Sequence, residues 1–391
     1  MWVFFSLLVP ASGAITGLMA GAHHTCVTWE DGKAACVGDN ERGQLGLGAV
    51  RMMGHDQGFT VATAPKVDLA WPVVGPGAAW NHTCMVLMHD FLHCWGENGD
   101  GQLGLEDHKD RGNEVDEMGQ ALDVVPLGSS KIIQVAAGAR HTCVIAAHPL
   151  PGFRGGGSVL CWGGNGFGQL GHGTANNVGG LRGDMASLPP THLGGRNTRV
   201  HKIAAGEFHT CALASFEYDG TGEDAARVLK CWGRGDAGRL GYGDDSDRGQ
   251  YWEQMGEALP AVTNDAVDVA CGAEHTCYVA FDYKVWCFGD NKHKQLGSNS
   301  GDYSLSPRQV PAVTGDTISA GHSTTCTIRN GGVWCWGLGT HGVLASESEA
   351  TRAQPKRIEA LPGGIRIVAI GLYHACATTW GTLHCWGLNN R

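Results

Sequence analysis

The sequence predicts an all-β protein, a seven-bladed β-propeller. Three observations predict this fold: a phrase that recurs seven times, a pair of cysteines in each recurrence, and turn residues between those cysteines that suit antiparallel hairpins. The 391 residues include 61 glycines, roughly double the average usage, which indicates many tight turns. We expect one four-stranded blade per repeat, with the blades closed into a ring.

The repeated unit begins with a short apolar segment and Gly-x-x-His-Thr-Cys. A hairpin, Cys-Trp-Gly and finally Gly-Gln-Leu-Gly follow, as in Gly43-Gln-Leu-Gly46. Successive units start about 50 to 70 residues apart, which is too long for helical-pair solenoids and suits a four-stranded blade. The units span residues 15–391, which we interpret as a single seven-bladed propeller domain.

Fourteen of the 15 cysteines fall into seven local pairs, and only Cys271 is left over. Directly opposed residues of antiparallel strands approach closely enough for a disulfide. The sequence therefore predicts that a disulfide staples the hairpin of each blade. The predicted pairs are Cys26–Cys36, Cys84–Cys94, Cys143–Cys161, Cys211–Cys231, Cys277–Cys287, Cys326–Cys335 and Cys376–Cys385.

The hairpin tips between the paired cysteines support this register. If Cys326 faces Cys335, the two tip residues are Asn330 and Gly331, the strongest signal for a two-residue type I′ turn. If Cys26 faces Cys36, the tip is Glu30-Asp31-Gly32, with glycine at the third position, where a left-handed conformation is needed. Two repeats thus predict the same pairing rule.

Disulfides persist in oxidising compartments, so the cysteine pairs predict a secreted or lumenal protein; the alternative is a cytoplasmic or nuclear one. Residues 1–14 lead from an apolar run into small residues, which is typical of a signal peptide, although no Lys or Arg precedes the run. The alternatives are that Phe5–Pro10 supplies a ring-closing strand, because the chain stops soon after Cys385, or that the sequence is a gene fragment.

One histidine position recurs in six of the seven repeats, and Thr324 replaces it in the sixth. A residue repeated six times is more typical of structure than of catalysis, so we expect it to bond between neighbouring blades. The recurring tryptophans point to the strand face opposite the cysteines, and we expect them to pack into the following blade. These positions are His24, His82, His141, His209, His275 and His374, and Trp95, Trp162, Trp232, Trp336 and Trp386.

A zinc site competes with the disulfides, because His-x-Cys followed by Cys offers zinc-capable ligands. Short Cys-x-x-Cys or His-x-x-x-His spacings are absent from the pairs, so we expect no metal and no cofactor. For redox chemistry Cys271 is the remaining candidate, and a buried strand cysteine is the preferred interpretation. The glycine turns lack the strand-to-helix context of a phosphate-binding loop.

The net charge of −10 and the sequence pI of about 6.0 lack the basic surplus of a nonspecific phosphate binder, so we expect no nucleic acid partner. The apolar run at the N-terminus is shorter than the roughly 20 residues that a membrane-spanning helix needs, and we expect no membrane span. A monomer is expected.

Together these phrases resemble the repeats of the regulator of chromosome condensation family, from about Ile15 to Arg391. The resemblance implies a seven-bladed propeller and, for most relatives, a platform that binds proteins. The best-known member is a guanine nucleotide exchange factor for a small GTPase, and a distant relative is a secreted inhibitor of β-lactamase. The cysteine pairs depart from the nuclear members, and no segment matches an exchange-factor wedge.

The leading functional hypothesis is a nonenzymatic protein-interaction module, and the alternative is a guanine nucleotide exchange factor for a small GTPase. Loops on a rigid scaffold commonly carry recognition, so the predicted partner-binding residues lie in the two long hairpin tips: His148, Phe153, Tyr218 and Glu223. A second recurring phrase, Asp110–Leu122 and Asp247–Leu259, is interpreted as structural packing or as a rim loop for a partner.

Overall fold

The computed structural model describes residues 5–8, 13–50, 52–53, 64–128, 130–147, 157–195, 198–216, 227–345 and 350–388. In these ranges the chain forms 24 β-strands and four one-turn 3₁₀ helices, at Met88–Asp90, Asp236–Gly238, Trp252–Gln254 and Thr340–Gly342. No helix in these ranges has the length and apolar character of a membrane-spanning segment. The strands are β1 (Phe5–Leu8), β2 (Ile15–Ala20), β3 (His24–Trp29), β4 (Ala34–Gly38), β5 (Val73–Ala79), β6 (His82–Leu87), β7 (Phe91–Gly96), β8 (Lys131–Ala137), β9 (His141–Ala147), β10 (Ser158–Gly163), β11 (Thr198–Ala205), β12 (His209–Phe216), β13 (Val228–Gly233), β14 (Ala266–Cys271), β15 (His275–Ala280), β16 (Lys284–Asp290), β17 (Tyr303–Thr314), β18 (Thr317–Ala320), β19 (Thr324–Arg329), β20 (Gly332–Gly337), β21 (Arg352–Arg357), β22 (Ile367–Ile370), β23 (His374–Thr378) and β24 (Thr382–Gly387).

The strands form seven antiparallel sheets, one for each repeat. Blade 1 contains β2–β4, blade 2 β5–β7, blade 3 β8–β10, blade 4 β11–β13, blade 5 β14–β17, blade 6 β18–β21, and blade 7 β22–β24 with β1. The first strand of each blade contacts the first strand of the next, and β22 of blade 7 contacts β2 of blade 1. The seven sheets therefore close into a ring, and the predicted propeller is confirmed.

Every predicted cysteine pair is a disulfide that joins the second and third strands of its blade. The paired residues stand directly opposite each other, as for Cys326 and Cys335. Asn330 and Gly331 both have positive φ, as a type I′ turn requires, and Gly32 has φ of 78° at the third tip position. The predicted hairpin register is thus confirmed.

The number of strands per blade departs from the prediction of four. Among the described residues, blades 5, 6 and 7 have four strands and blades 1 to 4 have three. In blades 2 to 4 the chain beyond the third strand makes isolated bridges instead, such as Gly96 to Arg111 and Gly163 to Val178. These segments contain tight turns in which the side chains of Glu117, Asp184 and Gln254 accept backbone N–H groups.

The outer strand of blade 7 comes from the other end of the chain. β1 pairs antiparallel with β24, and Phe5 stands opposite Cys385. This is the arrangement of a ring-closing strand. The prediction that residues 1–14 are a signal peptide concerns processing, and it stays a prediction.

The recurring tryptophans fill the space between neighbouring blades, but in the direction opposite to the one expected. Trp162 of blade 3 is fully buried against Cys84 and Leu103 of blade 2, the preceding blade. Trp232 of blade 4 packs in the same way against Leu170 of blade 3. Strand alternation determines which face of the sheet carries the indole. The handedness of the whole propeller determines whether that face contacts the preceding or the following blade.

The second recurring phrase serves local packing. Carboxylate Oε2 of Glu117 accepts the backbone N–H groups of Gly112, Asn113 and Glu114 at 3.0 to 3.2 Å. Met118 beside it is buried in the core between blades 1 and 2. Gln254 and Met255 repeat this arrangement at the other occurrence. These contacts support the packing interpretation.

Candidate interaction face at the mouth of the central channel

Seven equivalent turns, five of them with the sequence Gly-x-x-His, lie at one end of the propeller axis, because each connects the innermost strand of a blade to the second strand. We call this end the mouth. The loops with Gly-Gln-Leu-Gly lie at the same end, since they follow the third strand, whose last residue pairs with the histidine, as Gly163 does with His141. The hairpin tips lie at the opposite end.

The junction between blades 3 and 4 explains why these phrases recur together. His141 of blade 3 bonds through Nε2 to Oγ1 of Thr210 in blade 4 at 2.9 Å. The Thr210 hydroxyl donates to the carbonyl oxygen of Gln169, in the Gly-Gln-Leu-Gly loop of blade 3, at 2.9 Å. The indole of Trp232 in blade 4 donates to the same oxygen at 2.9 Å. Each phrase thus supplies one part of an inter-blade clasp.

The bond between histidine and threonine recurs at six of the seven junctions, and the predicted inter-blade role of the histidine is confirmed. At five of these junctions the threonine proton goes to a carbonyl oxygen, so the imidazole Nε2 is the donor and Nδ1 carries no proton. The other five bonds are His24–Thr83, His82–Thr142, His209–Thr276, His275–Thr325 and His374–Thr25, at 2.7 to 2.9 Å.

These histidines are neutral at neutral pH. Burial lowers the pKa of His24, His82, His141 and His275 from 6.5 to about 3, and that of His374 to about 4. Burial also holds the pKa of His209 well below its usual range. A neutral imidazole that bonds through Nε2 to the neighbouring blade serves as a structural element.

The glycine that begins most of these turns is required by close approach. A β-carbon on Gly206 would lie 2.2 Å from Cε1 of His209 and 2.5 Å from the carbonyl oxygen of Gly272 in the next blade. The residue after the glycine donates its backbone N–H to the next blade, as Ala139 does to Glu207 and Glu207 does to Ala273. Backbone groups therefore fix the rim of the mouth.

The two residues before the histidine position form a different pair in each blade, although alanine is the first of the two in three blades and the residues around them repeat. We call this set the mouth surface. It consists of Ala22-His23, Trp80-Asn81, Ala139-Arg140, Glu207-Phe208, Ala273-Glu274, His322-Ser323 and Leu372-Tyr373. Because their backbone is fixed and their side chains vary, these positions can specialise without disturbing the scaffold.

Aromatic side chains form one part of the mouth surface. Phe208 of blade 4 lies 5.4 Å from Phe167 in the loop of blade 3, measured between ring centroids. The guanidinium of Arg234 stands over the Phe167 ring at 4.9 Å. Across the mouth, Tyr373 meets His341 edge-on at 5.0 Å. Half-buried aromatic rings and arginines are typical of the centres of protein interfaces.

Charged pairs form a second part of the mouth surface. Arg140 bonds to Asp100 of the preceding blade at 3.1 Å. Arg239, whose side chain is fully buried, bonds to Glu274 of the following blade at 3.1 Å. Each pair crosses a junction between blades, so the second residue of these turns joins a loop of the neighbouring blade. The mouth surface therefore presents charged and aromatic sectors on a fixed frame.

Cys271 is the remaining thiol among the described residues, and it is buried at the end of β14. Burial raises the pKa of this thiol to about 12, so the thiolate needed for redox chemistry is scarce at neutral pH. Ligand atoms of His209, Cys211 and Cys271 lie within 4.8 Å of one another. Cys211 is bonded to Cys231, however, and Nε2 of His209 is bonded to Thr276.

The four residues that the sequence singled out for partner binding, His148, Phe153, Tyr218 and Glu223, lie outside the described residues, and the assignment stays a prediction. Sequence reasoning missed the mouth surface. Its signal was present as seven mismatched residue pairs inside an otherwise repeated phrase. That these pairs converge on one end of the axis follows only from the closed ring.

Family models of the regulator of chromosome condensation (RCC1) repeat match residues 90–145, 156–213, 231–279 and 330–378, and a second model of the repeat matches residues 266–295. The matches cover more than half of the chain. The protein belongs to the RCC1 repeat family. Each of the four RCC1 matches runs from the third strand of one blade to the second strand of the next, as residues 90–145 do from β7 to β9.

Curated relatives extend the comparison of these RCC1 repeats. The chain is 29% identical over 267 residues to the ultraviolet-B receptor UVR8 of Arabidopsis thaliana, which covers 68% of this chain and 52% of the receptor. It is 26% identical over 383 residues to the human E3 ubiquitin-protein ligase HERC2, covering 95% of this chain and 7% of the ligase. The chain thus spans about half of the receptor and a small part of the ligase.

Solved structures support the RCC1 fold over nearly the full length. Yeast RCC1 (Prp20), bound to Kap60, superposes with a TM-score of 0.70 at 20% identity, covering 96% of this chain and 80% of that chain. Human WBSCR16 gives a TM-score of 0.70 at 18% identity, covering 97% and 88%. At these identities the likeness establishes the fold.

Proposed function

We propose that this chain is a nonenzymatic protein-interaction propeller that works in an oxidising compartment, secreted or lumenal, and binds a protein partner through the mouth surface. One observation carries the proposal: seven equivalent turns of fixed backbone hold seven different residue pairs. The repeated polar groups around them are bonded within the scaffold, as His141, Thr210 and Trp232 are.

The chemistry of the mouth surface suits a protein partner. Phe167, Phe208 and Tyr373 offer partly exposed aromatic rings beside Arg234, and aromatic rings and arginines dominate interface energetics. The relatives support a shared binding role more than a shared catalytic activity. Their names describe an ultraviolet-B receptor and ubiquitin ligases, and the matched repeats form only a part of each.

The test compares partner binding by the full chain and by two aromatic variants. Phe208→Ala removes a ring from the mouth, and Phe281→Ala removes an exposed ring from the hairpin tip of blade 5, at the opposite end. Purified chain is cross-linked to its partner in secreted or lumenal fractions, and the partner is then made recombinantly. We expect Phe208→Ala to weaken binding at least about tenfold, equivalent to about 1.4 kcal/mol, and Phe281→Ala to leave it unchanged. Equal affinity for both variants would overturn the mouth assignment.

The hairpin tips provide the alternative location. Replacing residues 148–153 and 218–223 by short Gly/Ser linkers removes both predicted tip regions while the cysteine register is kept. Loss of partner binding in this variant, with full binding by Phe208→Ala, would place the partner at the tip end. Retained binding supports the mouth surface.

The alternative activity, guanine nucleotide exchange, has its own assay. The chain is mixed with a panel of small GTPases loaded with a fluorescent nucleotide, and nucleotide release is followed. We expect no acceleration. Faster release from one GTPase would overturn the nonenzymatic proposal, even if the same surface carries the contact.

A further inference from the structure

A cavity of ≈190 Å³ lies on the axis at the mouth. Small side chains, including Ala22, Ala137 and Ala205, line most of its wall, and Leu372 adds an apolar contact. Trp80, Glu207 and His322 also line it, and each is partly exposed, so the cavity reaches solvent. Its wall thus combines small apolar side chains with polar groups in nearly equal measure.

Glu207 is the one carboxylate in this lining. Three arginines lie near enough to act on it electrostatically, but each bonds to another acid: Arg140 to Asp100, Arg234 to Asp236, and Arg239 to Glu274. Among the described residues, Glu207 belongs to none of the salt bridges, and only its backbone is hydrogen-bonded. Burial, followed by the charge of Glu274, raises its pKa above the usual value.

A half-buried carboxylate without a partner is costly, and a cation that enters the cavity relieves that cost. The three arginine pairs are neutral as pairs, so Glu207 leaves the site with one uncompensated negative charge. His322 does not offset that charge, because burial lowers its pKa and keeps the ring neutral at neutral pH. The site therefore favours a single positive charge on an apolar stem.

We propose that the cavity binds a primary ammonium group, presented by the protein partner on a lysine side chain, with Glu207 as its counterion. This inference rests on the proposed function, because it names the feature of the partner that the mouth surface receives. The alanine wall accommodates the methylene stem of lysine, and the narrow cavity admits a compact ammonium more readily than a planar guanidinium.

The inference is tested without the partner, by titrating the full, disulfide-bonded chain with Nα-acetyl-lysine methylamide and following binding by NMR. Glu207→Gln keeps the shape and backbone bond of the residue and removes its charge. Ala205→Leu fills the cavity and keeps the charge. Glu359→Gln, an exposed acid near Arg357 on the outer side of blade 6, is the matched control. Unfolding midpoints establish that each variant is folded.

We expect saturable binding that Glu207→Gln and Ala205→Leu each weaken at least about tenfold and that Glu359→Gln leaves unchanged. Alaninamide, which carries only an α-amino group, and Nα-acetyl-arginine methylamide form the comparison arms. Tighter binding of alaninamide would reassign the site to a chain terminus. No saturable binding, or equal binding by Glu207→Gln, would overturn the inference. If the partner still binds Glu207→Gln but no longer binds Phe208→Ala, the proposed function is supported and only the ammonium site is overturned.

Discussion

Ile370 of blade 7 packs on Gly321 of blade 6, where Cγ2 of the isoleucine would lie 2.5 Å from a β-carbon on that glycine. At the equivalent glycine of five other blades this place belongs to the imidazole of the same blade, as for Gly206 and His209. Blade 6 has Thr324 instead of that histidine. The isoleucine thus fills the space that the missing imidazole leaves.

A third substitution belongs to the same junction. Ala375 of blade 7 stands where the other blades have the threonine that receives the imidazole bond. Thr324 turns its hydroxyl to the carbonyl oxygen of Leu338 within its own blade, at 3.2 Å. At this junction Thr324 replaces the histidine donor, Ala375 replaces the threonine acceptor, and Ile370 occupies the space of the imidazole. An apolar contact therefore replaces a hydrogen bond.

The first prediction restores the ordinary junction. Thr324→His alone places an imidazole against Ile370 with no acceptor, and we expect it to lower the free energy of unfolding by about 1 to 3 kcal/mol. Adding Ile370→Ala and Ala375→Thr makes room and supplies the acceptor, so the triple variant should recover most of that loss. Urea unfolding of the unmodified chain, Thr324→His, the Ile370→Ala/Ala375→Thr double variant and the triple variant measures the coupling. A triple variant no more stable than Thr324→His would contradict the compensation.

The second prediction concerns acid. A histidine whose pKa is lowered on folding stabilises the folded state fully above the unfolded pKa of 6.5, and this stability is lost as pH falls toward the folded value of about 3. Six such residues act together, so the free energy of unfolding should fall steeply below pH 6.5. His141→Gln removes one titrating group and should flatten the slope, although the variant is less stable at pH 7.5. A slope that is unchanged in His141→Gln would exclude the buried neutral histidine as its source.

The cysteine register was predictable because two local constraints agree: a two-residue tip such as Asn330-Gly331 fixes the pairing, and a disulfide tolerates only opposed residues. The direction in which Trp162 packs was not predictable. Strand alternation gives the sheet face on which the indole lies, but it does not give the neighbouring blade that this face contacts. The linked change at Thr324, Ile370 and Ala375 also could not be predicted from the sequence. Its partners lie about 50 residues apart and meet only once adjacent blades are docked.

The mouth surface was also predictable from the sequence only in part. The mismatched pairs, such as Glu207-Phe208, are visible in the sequence, whereas their nearness to Phe167 and Arg234 depends on loops from the preceding and the same blade. That blades 2 to 4 have isolated bridges in place of a regular outer strand, within the described ranges, also needed the structure. Their segments fold through turns such as the one that Glu117 closes, which have no strand periodicity.

The third prediction is the covalent map. Peptide mapping without reducing agent should find the seven pairs and a single thiol at Cys271. Because Cys271 is buried, alkylation of the folded chain should be slow and should become complete in denaturant. Each loop closure constrains the unfolded state by about 2 to 3 kcal/mol in the chain-entropy model, so reduction should lower the unfolding midpoint strongly. Cysteines free in protein isolated from its own compartment would contradict the oxidising location.

The fourth prediction concerns the glycines at the mouth. In Gly206→Ala the new β-carbon meets the imidazole of His209 and the backbone of blade 5, neither of which can give way without breaking the junction. We expect a loss of about 1 to 3 kcal/mol, as for other overpacked sites. Gly166→Ala is the matched control, because nothing lies within 4 Å of its added β-carbon and its φ is not positive. Similar unfolding midpoints for the two variants would show that the close approach at the mouth does not hold the ring together.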